Sequence, residues 1–314
     1  MKILITGGAG YKGTVLVKKL LSNKKIKKII IVDTFWFGNF LKRNNKIKIL
    51  KKNILNLKSE EVRNVHSIIH LGEIANDPAS ELRPKLTWEN SCLGMRNLCE
   101  ISKKNKIKKF IYASSGSVYG IKKEKKVTEL LELNPISDYN KTKMVTERIL
   151  LSYKKYFKVF IVRPGTVYGY SPRMRLDLTL NILTFNALKY NKIDIYGGKQ
   201  IRPLIHIDDI TNLYKHILFN NVNEGIYNAS NENISIIDLA KKIKKRIGKE
   251  IKLKILQSND PRSYRLDSTK IRKTGFRFEK NVTDGIEDII RFTKQKKIIS
   301  KPSCYSINWI KKTK

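Results

Sequence analysis

Cysteine is scarce. Cys92, Cys99 and Cys304 are the three in 314 residues, and their spacing fits neither a metal site nor a redox pair. A disulfide scaffold and a zinc module are excluded, and nothing calls for an oxidising compartment. Cys92 and Cys99 lie seven apart on an expected helix and read as small buried apolar residues. With 17 Gly and 8 Pro, the chain is no collagen or low-complexity polymer. No stretch approaches the run of about 18 apolar residues that a membrane helix needs. The chain opens on a strand rather than a charged stretch followed by an apolar one. The expectation is a soluble, cytoplasmic protein with no membrane partner. Acidic residues are few as well: 27 Asp and Glu stand against 65 Lys and Arg, a net charge of +38.

Such a charge first suggests nucleic acid, but its distribution argues otherwise. Lysines outnumber arginines and come as short clusters, such as Lys24-Lys25, Lys103-Lys104 and Lys241-Lys242, from one end of the chain to the other. A nucleic-acid surface concentrates charge on one element and interleaves it with stacking aromatics. These clusters carry few aromatics and fall in turns and on polar helix faces. They read as solvating charge, and no specific nucleic-acid partner is expected.

Strand and helix patterns alternate through the first half. Lys2–Thr6, Ile29–Val32, Ile47–Leu50, Ser67–Leu71, Lys109–Ser114 and Val159–Arg163 are short apolar runs, separated by helical stretches at Thr14–Leu21, Asn90–Lys103 and Asp138–Tyr153. That rhythm predicts an α/β fold, a doubly wound parallel sheet of Rossmann type with helices on both faces. After Pro164 the pattern changes to Gly- and Pro-containing loops, scattered helices and short strands such as Ile251–Ile255. The expected organisation is a dinucleotide-binding domain over 1–165, to which 204–230 returns. A smaller α/β substrate-binding lobe would cover 166–203 and 231–295, with a basic tail at 296–314.

The first strand runs into Thr6-Gly7-Gly8-Ala9-Gly10-Tyr11-Lys12-Gly13 and then a helix. Gly7, Gly10 and Gly13 supply a tight turn, close backbone approach to a pyrophosphate and close helix–sheet packing. The N–H groups that open the helix then face phosphates. Asp33 closes the second strand, where a carboxylate accepts from both adenosine ribose hydroxyls and repels a 2′-phosphate. The cofactor expected is NAD rather than NADP, with Lys12 beside the phosphates as the feature that softens the preference.

Tyr139 and Lys143 stand one helical turn apart on one face. A free tyrosine is a poor base at neutral pH, but a neighbouring ammonium and a cationic nicotinamide ring favour the phenolate. Such a tyrosine takes a proton from a sugar hydroxyl while the same carbon is oxidised. Upstream, Tyr112-Ala113-Ser114-Ser115-Gly116-Ser117 ends a strand, at the edge of the sheet where ligands bind. A serine there shares the substrate proton.

These motifs together resemble the extended short-chain dehydrogenases/reductases, in the NAD-dependent epimerase/dehydratase family that acts on nucleotide sugars. The likeness covers about residues 1–295. It rests on TGGAGYKG, Asp33, HLGEIANDP (70–78), YASSGSVYG, YNKTK, VRPGTVYG (162–169), GGKQIRPLIHIDD (197–209) and DPRSY (260–264). The resemblance implies that Ser115, Tyr139 and Lys143 are the catalytic triad, with Lys143 also a ribose ligand. It assigns cofactor contacts to Leu71, Gly72, Asn90 and Pro164 and to the turn residues Gly7, Gly10, Tyr11, Lys12 and Gly13. Asn53, followed by Ile54, stands where an aspartate often meets the adenine. Family 4,6-dehydratases carry Asp and Glu directly after the hydroxyl residue, for proton removal at C5 and departure of the C6 hydroxyl. This chain has Gly116 and Ser117 there, which cannot do that work. What remains is oxidation and re-reduction at one carbon, expected to be C4: an epimerase. A C4 dehydrogenase or ketoreductase uses the same residues.

On the substrate side, Arg202 and Arg262 match family positions for the nucleotide diphosphate. Arg173 and Arg175 in Ser171-Pro172-Arg173-Met174-Arg175 could clamp it bidentately, and Ser115 and Ser117 would face the sugar. Asp177, Asp208 and Asp209 read as partners or helix caps. The four histidines lack ligand spacing, so no metal is expected, and His70 and His206 read as packed. Glu73 is either near the sugar or a solvated loop charge, and Tyr119 packs below the site. Family members pair through the Tyr139 helix and the one before it. Met144, Val145, Leu150 and Leu151 with Leu93, Met95 and Leu98 offer candidate apolar surface for a homodimer. The segment after Gln295 shows no helical stripe and reads as a loose tail or a strap over the lobe. A contrasting reading of the whole chain, a non-catalytic nucleotide-binding protein recruited to RNA, has the intact Ser115, Tyr139 and Lys143 against it.

Overall fold

The computed structural model describes residues 1–258 and 262–312. In chain order the elements are β1 (Lys2–Thr6), α1 (Tyr11–Leu21), β2 (Lys28–Asp33), β3 (Ile47–Lys51), β4 (Ser67–His70), α2 (Asp77–Leu82), α3 (Pro84–Trp88), α4 (Gly94–Lys104), β5 (Lys109–Ala113) and α5 (Asp138–Leu151). They continue with β6 (Lys158–Pro164), β7 (Thr166–Tyr168), α6 (Thr179–Tyr190), β8 (Lys192–Tyr196), β9 (Ile201–His206), α7 (Ile207–Phe219), β10 (Gly225–Ala229) and β11 (Glu232–Ser235). The last are α8 (Ile236–Ile247), β12 (Lys252–Leu256), α9 (Thr269–Arg272), α10 (Val282–Lys294) and α11 (Ser306–Lys312).

Seven strands form one sheet in the order β10-β6-β5-β4-β1-β2-β3, all parallel. The order reverses between β1 and β4, so the ligand crevice of such a sheet opens beyond the ends of those two strands. The fully buried runs explain the pairing. Ile3, Leu4 and Ile5 of β1 and Ile29, Ile30 and Ile31 of β2 have no solvent exposure, as strands covered on both faces require. Two smaller sheets lie outside this one, β11-β9-β7 and β12-β8. Thus β10 completes the main sheet beside β6, whereas β9 pairs with β7 and β11 instead. Helix α7 packs on α1.

Several local expectations need correction. Helix α1 starts at Tyr11, directly on the glycine turn, rather than at Thr14. The stretch expected as one helix from Asn90 begins as a π-helical turn, Glu89–Leu93, continuous with α3 before and α4 after. Met95, Leu98 and Leu150, offered as dimer surface, are core residues without exposure, while Leu93 is 53% exposed. Of the two readings left open for the segment after Gln295, the described residues to 312 bear out the strap. They strap across the protein: Leu176 N donates to the Cys304 carbonyl at 2.9 Å, and α11 buries Ile310 against Ile74 and Ala79, with Trp36 and Leu86 packed around them. The stripe was illegible because the helix is barely two turns long.

One buried ion pair fixes the helix that carries Tyr139. Arg163 of β6 donates through Nε and Nη2 to the two oxygens of Glu147 on α5, at 3.0 and 2.6 Å. Ser114 Oγ also donates to Glu147, at 2.5 Å, and Arg163 Nη1 to Tyr119 OH, at 2.8 Å. Neither charged side chain exceeds 3% exposure. Removing one partner strands the other charge in a dry interior, a loss of about 3–5 kcal/mol, whereas removing both costs less. Arg163→Met is therefore expected to lower unfolding free energy by about that much, with Arg163→Met/Glu147→Leu recovering part of it, as read by urea denaturation.

Candidate active site

The glycine turn fits its purpose by geometry. Gly7 has φ +68°, and a Cβ there would lie 2.5 Å from Gly72 Cα. At Gly13 a Cβ would collide with the Gly7 carbonyl. The ends of β1 and β4 thus meet backbone to backbone, and α1 sits directly on the turn. Asp33 braces the same turn: its carboxylate accepts from Ala9 N at 2.9 Å and Phe35 N at 2.8 Å. Burial pushes the Asp33 carboxyl up from its ordinary value, with those backbone donors opposing.

A cavity of about 790 Å³ opens over this turn, large enough for more than one ligand group. Its wall includes Gly7, Gly10, Tyr11, Lys12, Gly13, Asp33, Asn53, Ile54, Leu71, Gly72, Asn90 and Pro164. Ser115, Ser117, Tyr139, Lys143, Arg173, Arg175, Arg202 and Arg262 line the same space, so every residue expected to touch cofactor or substrate reaches it. Of the DPRSY segment, Asp260 and Pro261 lie outside the described residues.

The individual placements differ in kind. Tyr11 is a strut: its hydroxyl donates to the Gly169 carbonyl at 2.6 Å and accepts from Asn181 at 3.1 Å. Asn53 donates to Asn90 Oδ1 at 2.5 Å, and Asn90 in turn to the Leu86 carbonyl at 2.8 Å. Arg173, only 3% exposed, stacks its guanidinium 3.9 Å from the Phe37 ring, just past β2 and Asp33. Its setting is thus the β2 end of the cavity. Arg175 grips Asp177 through Nε and Nη2 at 2.8 and 3.0 Å. Burial opposes ionisation of Asp177, but Arg175 outweighs it and holds the carboxyl at about 2. Arg202 donates to the Arg262 carbonyl, and Arg262 pairs with Asp77 at 2.7 Å.

Around the reacting end, Ser115 Oγ lies 2.7 Å from Ser117 Oγ. Lys143 Nζ donates to the Ala113 carbonyl at 2.8 Å and sits 5.8 Å from the Tyr139 ring centre. Glu73 is no solvated loop charge. Its carboxylate is 2.5 Å from Lys143 Nζ, and its side chain is 3% exposed. Burial alone pushes the Glu73 carboxyl up, but Lys143 and His70 outweigh it and hold it at about 2. Lys12 shares this space: burial first, then the Lys143 and Arg175 charges, lower its amine to about 7.

Sequence reasoning missed the Glu73–Lys143 pair, the Glu147–Arg163 pair and Asp77. Asp77 accepts from Ser137 Oγ at 2.5 Å and Asn140 Nδ2 at 3.1 Å, tying the start of α5 to Arg262. Glu147 is four residues beyond Lys143 on the buried face, a legible hint; Glu73 sits in a loop and Asp77 opens the short helix α2, where periodicity gives no signal. His70 and Tyr119 are wholly buried, and His206 caps α7 by accepting from Asp208 N at 3.1 Å. His206, Asp208 and Asp288 come close enough to hold a cation, but Lys19 and Arg291 already neutralise the two carboxylates. None of the three lines the cavity.

A parallel sheet with a glycine turn at its switch point and a Ser–Tyr–Lys set over the strand ends defines a dinucleotide-dependent enzyme of the short-chain dehydrogenase type. The chain belongs to the NAD dependent epimerase/dehydratase family, whose pattern it matches over residues 3–230, and its cofactor is NAD. It is 34% identical over 272 residues to a dTDP-D-glucose 4,6-dehydratase of Dictyostelium discoideum, covering 77% of this chain but 61% of that relative. With a UDP-glucose 4-epimerase of Lactobacillus helveticus it shares 26% over 299 residues, covering 87% of this chain and 90% of the relative. A crystal structure of UDP-glucuronic acid 4-epimerase from Bacillus cereus, with UDP-glucuronic acid and NAD, superposes with a TM-score of 0.86 at 29% identity. That match covers 94% of this chain and 99% of the other.

Two expectations follow for the cofactor. Asp33→Asn removes the charged acceptor for the ribose hydroxyls and the repulsion of a 2′-phosphate. NAD affinity should fall by roughly 10- to 100-fold, the worth of a charged hydrogen bond, and the NAD/NADP preference should narrow, read by titration calorimetry. Lys12, lowered to about 7, is partly neutral at pH 7.5. A pyrophosphate nearby favours its ammonium, so NAD binding there should take up protons. Calorimetry in buffers of different ionisation enthalpy should detect the uptake, and Lys12→Met should abolish it.

Proposed function

We propose that this protein is an NAD-dependent nucleotide-sugar 4-epimerase. The observation that carries the reading is that one cavity holds Ser115, Tyr139 and Lys143 above the cofactor turn, without the acid pair a dehydratase needs after Ser115. The buried carboxylate nearest that chemistry, Glu73, is engaged by Lys143 and held ionised, so it offers no proton to a leaving hydroxyl. Family resemblance supplies the roles.

NAD, when bound, supplies reversible acceptance of hydride from the sugar carbon. Tyr139 takes the hydroxyl proton from C4, Ser115 shares it by hydrogen bond, and Lys143 favours the phenolate form. The keto sugar then turns its other face toward the cofactor, and Tyr139 returns the proton as the carbon is re-reduced. Arg202 and Arg262 neutralise the nucleotide diphosphate of the substrate, whereas Arg173, set against Phe37 at the β2 end, faces the cofactor side and Arg175 has its fork engaged by Asp177. In this reading the NAD-binding domain is 1–165 with 204–230, and 166–203 with 231–295 form the substrate lobe. The enzyme is cytoplasmic and homodimeric, pairing through the exposed Leu93 and the half-buried Met144, Val145 and Leu151.

Incubation of the NAD-loaded enzyme with UDP-, GDP-, dTDP- and CDP-sugars should give a product of unchanged mass with inverted C4 coupling by NMR. Loss of two hydrogens would instead make it a C4 dehydrogenase, and loss of water would overturn the argument from Gly116 and Ser117. Tyr139→Phe should lower turnover by roughly 10²- to 10⁴-fold, the usual worth of a general acid–base group, while retaining NAD. Unchanged turnover in that variant would refute the mechanism.

A further inference from the structure

The loop after β4 turns inward, because Gly72 has no side chain and packs against Gly7. Glu73 is thereby carried under the site instead of out to water. Three elements surround its carboxylate. Lys143 Nζ of α5 is 2.5 Å away, Tyr112 OH of β5 donates to both oxygens at 3.1 Å, and His70 Nε2 at the end of β4 lies 3.3 Å off. The His70 ring is itself fixed, stacked on Tyr112 with centres 5.5 Å apart and with Nδ1 2.5 Å from Thr6 Oγ1. A buried carboxylate is tolerated only when paired and hydrogen-bonded, and this one is both.

We propose that Glu73 is a positioning residue for the reaction, holding the Lys143 ammonium in place and offsetting part of its charge at Tyr139. The inference rests on the epimerase reading for the role of Tyr139. An ammonium has three N–H donors. Glu73 and the Ala113 carbonyl occupy two, leaving one for a bound ligand. Lys143 Nζ also lies 4.9 Å from the ring centre of Tyr112, one of the groups that hold Glu73. Glu73 itself is no second acid or base, because both oxygens accept from Tyr112 and one pairs with Lys143. It contributes charge and geometry.

The sign of the electrostatic effect follows. The Lys143 ammonium stabilises a Tyr139 phenolate, and a carboxylate 2.5 Å from that ammonium weakens its field. Neutralising Glu73 should therefore make Tyr139 ionise more readily. The other groups facing this pair are Lys12 of α1, His70, Tyr112 and Cys92, with Glu147 close to Tyr112, and those facing Tyr139 are Tyr112, Arg175, Tyr214 and Tyr264. All remain when Glu73 alone is changed.

The test uses the NAD-loaded enzyme and its Glu73→Gln variant, which keeps side-chain shape and an acceptor for Tyr112. The near-ultraviolet phenolate signal of Tyr139 is isolated by subtracting the same titration of Tyr139→Phe. In Glu73→Gln that signal should emerge about one pH unit lower, a tenfold change in ionisation. The acidic limb of kcat should move the same way, with kcat reduced more than KM is raised. Glu73→Asp, which keeps the charge but draws it back from Lys143, should shift both in the same direction by less. It reads the same question if the glutamine variant does not fold. An unmoved titration and limb, whatever the loss of activity, would overturn the proposal and leave Glu73 a structural residue. If no nucleotide sugar is turned over, the epimerase reading fails, yet the phenolate titration still decides the role of Glu73.

Discussion

Two strand ends, β1 and β4, approach to backbone contact at Gly7 and Gly72, and the chemistry of the site depends on that approach. A side chain at either position would hold the strands apart by a methyl group, since a Cβ on Gly72 would lie 2.8 Å from Gly7 N. The contact does two things at once. It shapes the crevice at the switch point of the sheet, where a parallel α/β fold takes its ligand. It also turns the loop after β4 inward, so Glu73 reaches Lys143. Cofactor cradle and lysine anchor are therefore consequences of one steric fact.

Buried charge pairs then fix what the crevice leaves open. Arg163 and Glu147 lock α5 to β6 below the site, so Tyr139 projects from a helix that cannot slide along the sheet. Asp77 ties the first residues of α5 to Arg262, and Asp177 ties Arg175 to Asn76 and to the start of α11, whose Ser306 N donates to it at 3.0 Å. Each carboxylate joins an element near the reacting end to one that faces the substrate side. Ion pairs of this kind add little net stability against an apolar alternative. Their physical value here is that they demand one relative placement of the elements they join.

The parallel sheet, the glycine turn and the Ser115, Tyr139 and Lys143 set were legible in the sequence because each rests on short-range signals. Ile-rich runs are covered on both faces, glycines sit where backbones touch, and a helical spacing places two side chains on one face. The signals fail where meaning lies in a long-range contact. Glu73 reads equally well as solvated or buried until the Gly7–Gly72 approach is known. Met95, Leu98 and Leu150 share an apolar stripe with true surface residues, and only packing under the sheet separates core from exterior. Helix α11 is too short for periodicity to register and is held by Ile310 against Ile74 of a distant loop and Ala79 of α2.

The charge of +38 takes its place within the same physics. Lys12, Lys143, Arg173, Arg175, Arg202 and Arg262 all line one cavity, against Glu73, Asp33, Asp77, Asp177 and Asp194 among its acidic neighbours. Among the described residues Lys143 is matched by Glu73, Arg175 by Asp177 and Arg262 by Asp77. Arg173 is buried beside the Arg175 charge and Lys12 faces Lys143 and Arg175, so these two feel repulsion that an entering diphosphate relieves. The surplus that matters for ligand capture is thus local and small. The many surface lysines act at a distance, through a general field that draws anions and weakens with salt.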